Sequence, residues 1–104
     1  MTTAVAPQKT NDQDVKLVES NLRSQFPTSE CYRYNSLALR ARIIDERFRG
    51  LSQVARSELV EPLLDQLPKE IQEDLFFVLL LAPDEVATSA KNGEFENPKP
   101  SLIS

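Results

Sequence analysis

An α+β fold follows from three features of the sequence. Apolar residues recur at helical spacing in two stretches, near 12–26 and 52–67. Between them lies a segment rich in aromatic and β-branched residues, with an Asn-Ser pair as its turn signal. After them comes LFFVLLL, apolar without alternation, as in a strand covered on both sides or one at a sheet centre.

The first helix, 12–26, starts near Thr10 or Asn11 and is stopped by Pro27, with Val15, Val18, Leu22 and Phe26 as its apolar stripe. The hairpin is two antiparallel strands, 30–35 and 38–47. In the second, Leu39, Ala41 and Ile43 alternate with Arg40, Arg42 and Ile44. Gly50 allows a turn conformation closed to other residues, and Ser52 can cap the helix that follows. That helix carries Ala55, Leu59, Leu63 and Leu67 as a stripe, flanked by Val60 and Leu64. Pro62 should kink it near 58–61 or divide it, and Pro68 ends it. The third strand is 75–81, and Pro83 opens a further helical turn or two.

A helical crossover makes the second and third strands parallel neighbours. Both long helices then cover one face of a three-stranded mixed sheet, and the other face stays open, carrying Arg40 and Arg42. This αββαβ(α) order is an architecture of the type II K-homology (KH) kind. The domain spans 12–86, between polar segments expected to be disordered at 1–11 and 87–104.

Composition excludes several chemistries. The 104 residues contain no histidine and one cysteine, Cys31. Imidazole acid–base work, a Cys–His nucleophile and a zinc site therefore cannot be assembled, and a disulfide within the chain has no second thiol. The only glycines, Gly50 and Gly93, are too far apart for a phosphate-binding loop. The expectation is a protein that is not an enzyme and holds no metal or cofactor, a monomer or weak dimer. The lone thiol, and the absence of a membrane-length apolar run or a leader pattern, point to the cytoplasm.

Charge is unevenly spread. From Arg23 to Arg56 seven arginines face three acids, whereas from Ser57 onward three lysines face ten acids, within a net charge of −4. Arg40, Arg42, Arg47, Arg49 and Arg56 are the candidate docking residues for an acidic partner, and should then be exposed and poorly paired.

The run FRGLSQVARSELVEPLLDQLPKEIQEDLFFVLLLAPDEV resembles the BolA family. Phe48 and Gly50 match its phenylalanine–any–glycine turn, Arg56 the arginine of its second helix, and Leu59 and Val60 its Leu-Val pair. Pro83, Asp84 and Glu85 match its closing Pro-Glu-Glu. The leading helix, VESNLRSQFP, is similar to the family's start. The resemblance implies the fold derived above and a monothiol glutaredoxin as partner, with a shared iron–sulfur cluster ligated by histidine. Here Ser57 stands where the family has a histidine after the arginine, and Asp74 where it has one before the third strand. Carboxylate is a poor ligand for such clusters. The resemblance thus implies a non-catalytic interaction protein that docks a glutaredoxin or another iron–sulfur assembly component without histidine ligands. The alternative is a nucleic-acid-binding regulator using the arginine-lined face, although GLSQ lacks the second glycine of the Gly-x-x-Gly loop used by RNA-binding members of the KH fold.

Overall fold

The computed structural model describes residues 12–101. The expected disordered segment 1–11 lies outside them. The order is α1 (Gln13–Arg23), β1 (Ser29–Asn35), β2 (Ala38–Ile44), α2 (Gln53–Leu64), α3 (Lys69–Asp74), β3 (Leu75–Leu81) and α4 (Ala90–Glu96). One sheet runs β1-β2-β3, with β1 antiparallel and β3 parallel to β2. The α+β class and the mixed three-stranded sheet are as the sequence predicts.

Local chemistry sets the boundaries. Asp12 caps α1, its carboxylate accepting from the N–H groups of Asp14 at 3.0 Å and Val15 at 3.2 Å. The hairpin turns at Ser36 and Leu37, between strands that end at Asn35 and resume at Ala38 as expected, and Asn35 Oδ1 accepts from Leu37 N–H at 2.8 Å. β2 stops at Ile44 instead of residue 47. Asp45 caps a 3-10 turn, Glu46–Phe48, whose Phe48 is fully buried. Gly50 sits at φ +78°, in the left-handed region that suits glycine, and Ser52 Oγ caps α2 through Ala55 N–H.

α2 forms one helix through Pro62, so the expected division does not occur. Pro62 lies in the last turn, where the missing N–H costs a single bond to Glu58. A second short helix, α3, follows Pro68. The buried stripe is Arg56, Val60, Leu63 and Leu67, while Leu59 is 46% exposed. Leu63 and Leu67 are buried as expected, whereas Arg56 and Val60 take the places expected of Ala55 and Leu59.

Val18, Leu22, Phe26, Leu39, Ala41, Ile43, Phe48, Val60 and Leu80 belong to one core between the sheet and the helices α1 to α3. β3 lacks alternation because both its sides are covered. Leu75, Val78 and Leu80 join that core, and Phe77, Leu79 and Leu81 pack with Phe95 of α4. Two expectations fail here. The tail expected to be disordered from 87 holds α4, and the sheet face expected to be open lies under it. Ser89 Oγ caps α4 through Asn92 N–H at 3.1 Å, and Phe95 packs 4.9 Å from Tyr32 and 6.2 Å from Phe77 between ring centroids. A single aromatic residue in seven carries too little periodicity to announce a helix.

Candidate functional site

The five candidate arginines do not form one surface. Arg42 is 6% exposed. Its guanidinium bonds Glu30 at 2.9 Å, Glu96 at 2.7 Å and Asn92 Oδ1 at 2.6 Å, and lies over the Phe95 ring. Arg40 bonds Glu94 at 3.0 Å and stacks 3.7 Å above the Tyr34 ring. The acids of α4 thus neutralise the basic sheet face. Burial opposes charge on these guanidiniums, but the Tyr32 hydroxyl and Glu94 on Arg40, and Glu96 and Glu30 on Arg42, outweigh it and raise their pKa, while the two arginines in turn hold Glu94 and Glu96 below the usual carboxylate range.

Arg56 is buried in a third setting. It bonds both carboxylate oxygens of Glu85, at 2.6 and 2.8 Å, and the carbonyls of Leu51 and Leu80 at 3.0 Å each. The bidentate guanidinium, with Ala82 N–H on Glu85 Oε1, pulls the Glu85 carboxyl down to about 2. The Arg56 guanidinium lies 5.9 Å from the Phe48 ring centroid, and Arg49 pairs with Asp84 at 3.0 Å. Phe48, Gly50, Arg56, Pro83 and Glu85 are therefore one structural unit, in which the strand-to-helix turn is bolted to the end of β3.

Only Arg47 and Arg49 keep about half of their side chains in water, 53% and 50%. Even these are paired, Arg47 with Asp45 at 2.9 Å and Arg49 with Glu46 at 2.7 Å. The expectation of five exposed, poorly paired arginines is thus corrected. Acids from 2 to 54 positions away reach them, and a count of sequence neighbours misses most of these partners.

Ser57 is exposed on α2, and Asp74, half-buried, ends α3 against β3. Cys31 is buried on β1, where loss of solvent, then the charges of Glu19 and Asp12, push its thiol up to about 12. It is a small core residue rather than a thiolate at neutral pH. Among the described residues no three His, Cys, Asp or Glu side chains are grouped to hold a metal ion, and no helix is long and apolar enough to cross a membrane.

The sequence reading missed Phe76. β3 carries an extra residue opposite the Leu39/Arg40 step of β2, and this bulge turns Phe76 outward, 74% exposed. A groove of about 450 Å³ runs beside it along β3, lined by Phe76, Phe77, Val78 and Leu79 and rimmed by Lys91. Comparison with family models, curated proteins and solved structures finds no match to this chain.

Proposed function

We propose that the chain is a non-catalytic interaction domain of the BolA kind, docking a monothiol glutaredoxin or another iron–sulfur assembly component and leaving cluster ligation to that partner. The observation that carries this reading is the Arg56–Glu85 pair. It joins two stretches of the quoted motif 29 positions apart, with Phe48, Gly50 and Pro83 in the same unit. Residues that meet in this way are a stronger basis for a resemblance than small apolar residues scattered along a chain.

The chemistry of the chain agrees. It has no imidazole, and its one thiol is buried and protonated at neutral pH. Docking then rests on surface fit, with Arg47 and Arg49 as the arginines still reachable by an acidic partner. The nucleic-acid alternative has less support, because Arg40 and Arg42 lie against Glu94 and Glu96 instead of facing water.

Titration calorimetry with the monothiol glutaredoxins of the source organism, cluster-free and cluster-loaded, tests the reading. A complex should form with both. The visible spectrum of the loaded partner should be the same with the wild-type chain, Cys31→Ser or Asp74→Ala. Absence of a complex with every such glutaredoxin would overturn the proposal, and a spectrum altered by either substitution would overturn ligand-free docking.

A further inference from the structure

The two outer edges of the sheet are finished differently. Along β1, the bond from Ile44 N–H to Thr28 O orients the strand, so that Ser29 and Cys31 turn their backbone groups away from β2. Both are met by α1. Arg23 Nε donates to Ser29 O at 2.9 Å, and Glu19 accepts from Cys31 N–H at 2.9 Å. The chain after α4 reaches the same strand, with Tyr34 Oη donating to Lys99 O and Asn35 Nδ2 to Ser101 Oγ.

Along β3, Asp45 N–H bonds Leu81 O, so Val78, Leu80 and Ala82 face outward. A second Arg–Glu pair closes the last of these groups, Arg56 on Leu80 O at 3.0 Å and Glu85 on Ala82 N–H at 3.0 Å. The cover stops there. Among the described residues no side chain bonds the outward N–H and C=O of Val78 or the N–H of Leu80. The exposed Phe76 stands beside this stretch.

We infer that the open stretch of β3 docks a second copy of this chain, the two β3 strands pairing antiparallel about a two-fold axis at Val78. Such an edge is a template for another strand. Leu75–Leu81 carries no charged or polar side chain, so β3 is itself the uncharged strand that this edge accepts. Opposed across the axis, each Val78 N–H meets the other copy's Val78 C=O, and each Leu80 comes beside the other's Phe76. The antiparallel sense also brings α3 of one copy, with Glu70 and Glu73 exposed against the single Lys69, toward the Lys91 rim of the other. Because the β3 edge pairs with itself about a two-fold axis, the contact is used up by one partner and closes at two copies. A contact this narrow makes a weak, reversible dimer. The inference is independent of the glutaredoxin reading.

Sedimentation equilibrium of the full chain over a concentration series, at low and high salt, is the test. The expected result is a monomer–dimer equilibrium at both salt concentrations. Phe76→Lys should raise the dissociation constant about tenfold or more. Val78→Pro removes an N–H that points away from β2 and should abolish the dimer. If it also unfolds the chain, Phe76→Lys, at an exposed site, decides alone. Amide exchange at Val78 and Leu80 should slow as concentration rises. A monomer at every concentration, assemblies larger than two, or a dimer indifferent to Phe76→Lys would each overturn the inference. So would Val78 protection that appears only on addition of a different polypeptide.

Discussion

On the face under α1 and α2, β2 presents Leu39, Ala41 and Ile43, each with no exposed area. On the opposite face the same strand presents Arg40 and Arg42, and α4 meets them with Glu94, Glu96, Asn92 and Phe95. The first face is held by apolar burial, which is non-directional and insensitive to pH. The second is held by charge-assisted bonds and ring stacking, which need particular atoms opposite one another. One strand therefore anchors a core that many apolar side chains could fill and a cover that few substitutions would preserve.

Truncation on the core face should separate the two most strongly. Ile43→Ala should cost about 2–5 kcal/mol in denaturant unfolding, because a fully buried branched side chain leaves a cavity. Arg42→Ala should cost less, about 1–3 kcal/mol, since Glu30 and Glu96 are half-exposed and water can take over their bonds. Its signature should be local, with exchange protection lost in α4 while the amides of β2 and β3 stay protected. Equal protection loss across the sheet would show that the two faces are one cooperative unit.

Acid should act on the cover and on the Arg56 bolt, and leave the apolar core indifferent. Glu94, Glu96 and Glu85 are all held below the ordinary value of 4.5, Glu85 at about 2. Their contribution is present above pH 4.5, where the unfolded carboxylates are already ionised, and is lost as pH falls toward 2. Stability measured against pH should decline over that window. Glu85→Gln should lower the plateau and flatten the decline, and Glu94→Gln with Glu96→Gln should do so by a smaller amount. An unchanged profile in Glu85→Gln would remove that pair from the account.

Cys31 should give the smallest change. Cys31→Ala removes one small buried group at the margin of the core and should cost about 1 kcal/mol. With its thiol pushed up to about 12, the native protein should resist alkylation at pH 8 and react quickly once unfolded. Fast labelling of the folded chain would mean that β1 opens more readily than its bonds to Arg23 and Glu19 imply.

The face built on apolar burial was the legible one. Val18, Leu22 and Ile43 lie on periods of 3.6 and 2 that any window of a dozen residues reveals, and LFFVLLL marks its strand by length and flanking signals. The other face left almost no local trace. Arg40 finds Glu94, and Arg42 finds Glu96, 54 positions along the chain, so no window holds both halves of either pair. Arg56 misled for a related reason. A charged residue at a stripe position reads as solvent-facing until Glu85 and two backbone carbonyls are seen around it. Gly50 was legible because its constraint is carried by the residue itself.

The turn at Gly50 also has a chemical consequence. Nothing lies within 4 Å of the place where a side-chain carbon would stand, so the glycine is required for its backbone sign and not for space. An L-alanine there would be strained whatever the room around it. Its mirror image would be at ease, because a D-residue prefers positive φ as an L-residue prefers negative. A chain of 104 residues is within reach of chemical ligation, and D-alanine at position 50 should raise stability by about 0.4–1 kcal/mol through a stiffer unfolded chain.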